Sequence, residues 1–128
     1  MGINIDDLVG KPYKKNGRGP DGYDCYGLAI EVEKRFGHTW LNIEDCTKEN
    51  YSFDDCLNQW KNEVKVIEID SPISESDVIL IKDRKGIVSH IGVYLGNNQI
   101  IHCNYLGVHI DKLTRMNGLI GKVYQWLP

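Results

Sequence analysis

The sequence predicts an α+β fold in which N-terminal helices pack on a central antiparallel sheet. Two observations predict it. Helix-type periodicity is confined to the first half of the chain, whereas the second half carries short apolar runs separated by turn signals. The 128 residues, 41% hydrophobic and 26% charged, are those of one globular domain, which we assign to residues 1–128.

Two helices are predicted on either side of a long loop. Residues 5–10 are predicted to form a short helix with Asn4 as its cap, and clustered turn signals indicate a loop over residues 11–23. Apolar residues at four-residue steps then predict an amphipathic helix over about residues 24–36, with Asp24 as its cap.

A further helix and six strands complete the predicted fold. The spacing of Phe53, Leu57 and Trp60 predicts the helix. Each strand is predicted from a short apolar or alternating stretch bounded by turn residues, and the six are residues 64–69, 77–82, 89–95, 99–103, 107–110 and 122–126.

The distribution of charged and apolar residues excludes several classes of function. The net charge is −3 and charges of both signs are interspersed, so the sequence has no basic patch for nucleic acid. No apolar run approaches the ~18 residues of a membrane-spanning helix. Residues 1–7 carry acids where a secretory signal needs positive charge, so we expect synthesis in the cytoplasm.

Four cysteines raise the question of whether one of them is reactive. No Cys-x-x-Cys pair supports a structural zinc site, and we interpret all four as reduced thiols. Cys25 falls in the first turn of the main predicted helix, where unpaired N–H groups and the helix dipole favour a thiolate. The alternative at this position is a buried structural cysteine.

Two histidines on adjacent predicted strands are candidate partners for this thiol. Strand alternation places His90 on the face opposite the apolar Ile91 and Val93. His102 lies on the next strand. A three-residue loop over residues 96–98 would align the two histidines, whereas a two-residue loop would put them on opposite faces. A thiol at a helix start facing such a histidine is the arrangement of a thiol hydrolase, whereas His90 alone would be a hydrogen-bonded histidine of the sheet.

At these residues the sequence resembles the NlpC/P60 cysteine peptidases, which have a papain-like fold. The resemblance covers about residues 8–124 and is weakest over residues 38–70. The matching segments are Leu8-Val9-Gly10-Lys11-Pro12-Tyr13, Asp24-Cys25-Tyr26-Gly27-Leu28, Ser89-His90-Ile91-Gly92-Val93-Tyr94-Leu95-Gly96 and Ile100-Ile101-His102.

The resemblance implies roles for four residues. Cys25 matches the family's nucleophile and His90 matches its base. His102 matches the residue that orients the base, and Tyr13 matches a residue of the oxyanion site. The implied reaction is hydrolysis of amide bonds in peptidoglycan stem peptides through an acyl-enzyme on Cys25. The typical bond joins D-γ-glutamyl to a diamino acid, and the reaction needs no cofactor and no metal.

Three residues near the nucleophile are candidates for substrate binding. Arg18 suits a stem-peptide carboxylate, with a solvated loop arginine as the alternative. Asp24 is interpreted as a helix cap rather than a catalytic group. Tyr26 stands where the family commonly has Ser, and it either lines the substrate groove or packs on the loop. Ser76-Asp77 similarly replaces the family's usual Gly-Asp.

The remaining polar candidates are assigned structural positions. Cys103 alternates to the face opposite His102 and is predicted to lie in the core. His38 and His109 are predicted at the surface, and the three tryptophans in the core or the groove wall. Asn104 is the alternative orienting residue if the strand is shifted.

Two other functions remain open from the same residues. An amidase or acyltransferase on this scaffold is one, although such relatives usually have the histidine before the cysteine, and here Cys25 precedes His90. The other is a non-catalytic module that binds wall peptides or assembles into a phage tail, since residues 17–22 resemble the phage-associated branch. Expected partners are therefore peptidoglycan stem peptides and phage-tail or secretion-system proteins. The protein would reach the wall in a virion, through a secretion system or after lysis. The fourth possibility is that it acts in the cytoplasm on recycled wall peptides.

Overall fold

The computed structural model describes residues 3–39, 59–62 and 64–128. The elements are α1 (Cys25–Arg35), β1 (Val66–Ile69), β2 (Val78–Lys82), β3 (Val88–Gly96), β4 (Gln99–Asn104), β5 (Gly107–Lys112) and β6 (Ile120–Trp126). The strands form one antiparallel sheet in the order β1-β6-β2-β3-β4-β5, and α1 packs against it. A 3₁₀ helix (Leu113–Met116) joins β5 to β6. The predicted α+β class and all six predicted strands are confirmed.

Helix α1 has the predicted cap. The Asp24 side chain accepts the backbone N–H of Gly27 at 2.7 Å, which satisfies one donor that the first turn leaves unpaired. The helix ends at Phe36, and Gly37 follows with φ +94°, a left-handed conformation that glycine adopts readily.

The short helix predicted at residues 5–10 is wrong. These residues form consecutive turns, in which Leu8 donates its N–H to the carbonyl of Ile5, and Gly10 closes the segment with φ +92°. Asn4 caps a turn instead of a helix, since its side chain accepts a backbone N–H two residues on. Six residues form too few hydrogen bonds to offset the cost of helix nucleation, so packing of the buried apolar side chains determines the conformation.

The core lies between α1 and the sheet. Leu28 and Val32 of α1 pack in one cluster with Ile91 and Val93 of β3, and all four are fully buried. Burying such a side chain contributes about 1.5–3 kcal/mol. A second apolar cluster covers the opposite face of the sheet, and its buried members are Ile79, Ile81, Ile100 and Val123.

Trp60 lies in the core, with its indole packed edge-on against Tyr124, and residues 59–62 around it are helical. Trp126 packs against the same core. These two tryptophans therefore occupy the predicted environment. The remaining predictions for this region lie outside the described residues, namely Trp40, Cys46, Cys56 and most of the helix on Phe53 and Leu57.

The β3–β4 hairpin has a two-residue loop. Asn97 and Asn98 both have positive φ, 51° and 64°, and Gly96 pairs with Gln99. Two left-handed residues are characteristic of a tight type I′ turn. The three-residue loop considered from the sequence is therefore wrong.

A β-bulge nevertheless aligns the two histidines. Loop parity alone would place His102 opposite Val93 and so on the face away from His90. The register shifts by one residue between Tyr94 and Gly96, so that His102 lies opposite Gly92. His90 and His102 therefore share one face.

None of the helices in the described ranges combines the length and the apolar character needed to cross a bilayer.

Candidate active site

Cys25 is the first residue of α1, and its partly buried sulfur reaches the sheet at β3. The backbone N–H groups of Ile91 and Tyr26 face the sulfur and favour its thiolate form. Ile91 follows His90, and a strand N–H points in the plane of its sheet. The thiol therefore interacts with the backbone of the residue that follows His90. The His90 side chain itself projects from the face of the sheet opposite Ile91, and so away from α1.

Burial reverses the predicted effect of the helix start on this thiol. Desolvation raises the pKa of Cys25 to about 12, and the negative charge of Asp24 acts in the same direction. The two backbone N–H groups lower the pKa but offset only part of this shift. The expectation of a lowered pKa is therefore wrong for the resting protein, in which the thiol is neutral at pH 7.

A line of hydrogen bonds runs from His90 across three strands. Nε2 of His90 lies 2.7 Å from Nδ1 of His102, and Nε2 of His102 lies 2.7 Å from Oδ2 of Asp111. An ionised carboxylate only accepts, so His102 donates from Nε2 and its Nδ1 must accept the Nε2 proton of His90. We call these three residues the relay. The relay leaves Nδ1 of His90 without a proton, as a general base requires.

Electrostatics keep the two ends of the relay in these forms. Burial lowers the pKa of His90 to about 3, with smaller contributions from His102 and His109, so its ring is neutral at pH 7. Burial also acts to raise the pKa of Asp111, but the hydrogen bond from His102 and nearby positive charge outweigh it, so the net shift is downward. Asp111 is therefore an ionised acceptor.

Asp111 was not predicted from the sequence, and His109 was assigned to the surface. Nδ1 of His109 donates to the carbonyl of Gly107 at 2.9 Å, and its Nε2 lies 3.1 Å from Oδ2 of Asp111. The tight β4–β5 turn pairs Asn104 with Gly107 and hence His102 with His109. Strand alternation then places Asp111 on the same face, so a two-residue hairpin prediction for this turn would have found both residues.

Two other assignments on β4 are resolved. Cys103 is buried, and its thiol donates to the carbonyl of Tyr23 at 3.1 Å, as expected of a core cysteine. Asn104 accepts the N–H of Leu106 within the β4–β5 turn. Because His102 contacts His90, Asn104 is not needed as the orienting residue.

The loop before α1 brings the backbone of Tyr13 alongside the segment that leads to Cys25. The backbone of Tyr13 pairs with that of Tyr23, two residues before Cys25. The Tyr13 side chain is 44% exposed. It is therefore accessible to a substrate, and its contribution to an oxyanion site stays a prediction.

Arg18 is engaged within the protein. Its guanidinium donates to Asp24 at 2.9 Å and to the Gly17 carbonyl at 3.1 Å, and it lies 5.6 Å from the centre of the Tyr26 ring. The solvated-loop alternative is therefore wrong, and carboxylate binding by Arg18 stays a prediction. Asp24 is a helix cap, as predicted. Tyr26 is only 4% exposed and belongs to the core, so the structure favours its packing under the loop over a place in the groove wall.

A second polar cluster lies around Ser76. Ser76 has φ +78°, which explains why a glycine suits this position. Its hydroxyl is 3.2 Å from Nε2 of His38, whose ring stacks on Trp126 at 4.3 Å. Trp126 donates to the fully buried Glu33 at 3.0 Å. His38 is thus part of a packed network rather than a free surface residue.

The chain is similar to known proteins of one family. The sequence profile of the NlpC/P60 family matches residues 10–119. The chain is 32% identical over 107 residues to the probable peptidoglycan endopeptidase LytE of Bacillus subtilis, covering 84% of this chain and 27% of that protein. It is 28% identical over 105 residues to the murein DD-endopeptidase MepH of Escherichia coli, covering 80% and 35% respectively. The chain thus spans only about a third or less of these relatives.

Solved structures share the fold. NlpC2 from Trichomonas vaginalis superposes with a TM-score of 0.65 at 22% identity, covering 94% of this chain and 45% of that one. The NlpC/p60 domain of the peptidoglycan hydrolase SagA superposes with a TM-score of 0.55 at 18% identity, covering 96% and 99%.

Proposed function

Because the chain belongs to the NlpC/P60 family, we propose that it is a cysteine peptidase that hydrolyses amide bonds in peptidoglycan stem peptides. The observation that supports the proposal most directly is the relay of His90, His102 and Asp111. Cys25 stands at the start of α1, and the backbone N–H of Ile91, the residue after His90, interacts with its thiol. The names of two relatives, a peptidoglycan endopeptidase and a murein endopeptidase, support the substrate class.

In the proposed first step, Cys25 attacks the carbonyl carbon of the scissile amide. Nδ1 of His90 takes the thiol proton as the C–S bond forms, since it is the ring nitrogen that the relay leaves as an acceptor. Both groups are neutral at rest, so their charges develop on the way to the transition state. Asp111, acting through His102, stabilises the positive charge on His90 at that stage.

The later steps use the same proton. His90 gives it to the leaving amine, the C–N bond breaks, and an acyl-enzyme on Cys25 remains. His90 then deprotonates a water molecule that attacks the thioester. The C–S bond breaks, the acid is released, and His90 returns the proton to the Cys25 thiolate. The backbone N–H of Cys25 and the hydroxyl of Tyr13 are the proposed donors to the oxyanion.

The proposed bond joins D-γ-glutamyl to a diamino acid. One relative is named a DD-endopeptidase, so products must be identified chemically rather than by loss of turbidity. Delivery to the wall by a phage virion, a secretion system or lysis belongs to the same proposal.

The test is digestion of purified peptidoglycan of several wall types, with new amino and carboxyl termini identified by mass spectrometry. We expect products from the wild type and from Cys103→Ala, which removes the other free thiol of the described residues, and none from Cys25→Ala. Equal product formation by Cys25→Ala would overturn the acyl-enzyme. Wall binding without products from any wall type would favour the binding module instead.

A further inference from the structure

Three side chains on β4 and β5 direct ligand atoms at one another. Nε2 of His102, Nε2 of His109 and Oδ2 of Asp111 all lie within 4.8 Å of one another. Oδ2 is 2.7 Å from the first nitrogen and 3.1 Å from the second. Ligand atoms around a tetrahedral zinc ion with bonds of ~2.0 Å lie ~3.3 Å apart. Small side-chain movements therefore suffice to seat such an ion.

The hydrogen bond from His109 to Gly107 directs Nε2 of His109 at Asp111. The carbonyl of Gly107 can only accept, so the proton of a neutral His109 ring is on Nδ1. Nε2 is then an acceptor, and it faces the carboxylate oxygen of Asp111, a second acceptor, at 3.1 Å. Two acceptors in contact repel each other unless a proton or a metal ion lies between them.

The surroundings are those of a metal ligand set. Metal-bound histidines almost always donate their other N–H to a carbonyl, a carboxylate or water, as His109 does to Gly107. Arg115 approaches the other carboxylate oxygen of Asp111, Oδ1, at 3.7 Å and leaves Oδ2 directed at the histidines. The side chains of His109 and Asp111 are 31% and 21% exposed, which gives an ion a path from solvent, whereas His102 is buried behind them.

We propose that His102, His109 and Asp111 bind a divalent transition-metal ion, with Zn²⁺ as the best fit to two imidazoles and a carboxylate, and that the bound ion switches the thiol off. We call this the metal site. The second half of the proposal rests on the proposed function, because it concerns the direction of the relay.

The bound ion reverses the relay. Zn²⁺ takes the lone pair of Nε2 of His102, which gives up its proton to solvent, and Nδ1 of His102 then carries the proton. Nδ1 receives that proton from Nε2 of His90 across the 2.7 Å hydrogen bond. Nε2 of His90 becomes the acceptor, and Nδ1 of His90 takes a proton from solvent, so the proton count is unchanged. With Nδ1 protonated, His90 can no longer accept the thiol proton of Cys25.

Binding is tested without catalysis by titrating Zn²⁺ into Cys25→Ala in a calorimeter. We expect one ion per chain. The matched variant is Cys25→Ala with His109→Asn, which keeps a donor for the Gly107 carbonyl but removes Nε2. Its affinity for Zn²⁺ is expected to fall by more than about 10- to 100-fold. That range is the loss seen when a group that only orients a metal ligand is changed, and His109 is itself a proposed ligand. Equal affinity in the two proteins, or no binding to Cys25→Ala, would overturn the metal site. Neither result depends on hydrolysis being found.

The switch is tested by nitrogen NMR of the ring of His90 in Cys25→Ala. The proton is expected on Nε2 in EDTA and on Nδ1 with Zn²⁺. An unchanged tautomer would overturn the switch. In active protein, Zn²⁺ is expected to inhibit the wild type. His109→Asn is expected to be inhibited less, when each protein is compared with its own rate in EDTA. Equal inhibition of both proteins would also overturn the switch.

Co²⁺ distinguishes this site from direct binding to the nucleophile. A Co²⁺ ion held by two imidazoles and a carboxylate has no sulfur-to-cobalt charge-transfer band. We expect no such band in the wild type with one equivalent of Co²⁺. Such a band would place the ion on a thiol and contradict the proposal, and its loss in Cys25→Ala would identify Cys25 as the ligand.

Discussion

Replacing Asp111 by Asn tests the relay most directly. The amide keeps the size and shape of the side chain but removes its negative charge. It can also turn its NH₂ group toward Nε2 of His102, which would then accept instead of donate. Either change weakens the preference for the tautomer that leaves Nδ1 of His90 free to accept a proton.

The size of the effect follows from the His102–Asp111 hydrogen bond. A hydrogen bond to a charged group contributes about 1.5–3 kcal/mol. Asp111 is 21% exposed, so solvent screens it in part and we take about 1.5–2 kcal/mol. At 1.36 kcal/mol for each factor of ten, kcat is expected to fall about 10- to 30-fold. KM should change little, because the Asp111 side chain acts through His102 rather than on the substrate.

The assay is steady-state hydrolysis of the stem peptide identified in the peptidoglycan digest. Arg115→Gln serves as the control, since this exposed side chain approaches Asp111 from the other side at 3.7 Å and its ion pair is expected to contribute little. Thermal unfolding of both variants shows whether the fold is kept. An unchanged kcat for Asp111→Asn, or an equal loss for Arg115→Gln, would refute the reasoning.

Four other properties follow from burial and close packing. Because burial lowers the pKa of His90 to about 3, kcat/KM is expected to be flat through pH 6.5 and to fall only toward pH 3, where His90 gains a proton; an acid limb near pH 6.5 would contradict this. Iodoacetamide should likewise alkylate the neutral thiol of Cys25 slowly at pH 6 and faster as the pH rises toward 12; a fast reaction at pH 6 would show a preformed thiolate. A methyl group in Gly27→Ala would overlap the Gly17 carbonyl oxygen, so this variant is expected to lose about 1–3 kcal/mol of unfolding free energy in urea, and an unchanged midpoint would argue against the close packing. Burial raises the pKa of Glu33 well above its ordinary 4.5, so the stability of the wild type should fall as pH rises above that value. Glu33→Gln should be more stable than the wild type by about 1 kcal/mol at pH 8 and not at pH 4. Parallel profiles of stability against pH for the two proteins would contradict a raised pKa.

The neutral resting state of the thiol has a consequence for specificity. A preformed thiolate reacts with many electrophiles, whereas a neutral thiol reacts only where a base and an oxyanion site act together. Cys25 is therefore expected to discriminate between a bound substrate and small reagents. The free energy needed to form the ion pair must come from substrate binding and from donors to the oxyanion.

The sequence alone determined the elements that depend on local signals. The spacing of Leu28 and Val32 and the Asp24 cap predicted α1, and short apolar runs predicted all six strands. Motif spacing singled out Cys25 and His90, because a motif records residue types at fixed separations along the chain. These features depend on neighbours within a few residues, and a sequence displays them directly.

Tertiary structure decided the features that depend on distant groups. The face of the sheet on which His102 lies was set by a bulge next to Tyr94. A rule based on loop length cannot predict this bulge. The pKa of Cys25 was raised by burial beneath other segments, although the residue stands at a helix start. Asp111 joined the relay only through pairing of β4 with β5. Hydration and cross-strand contact are properties of the packed molecule, so a linear pattern cannot contain them.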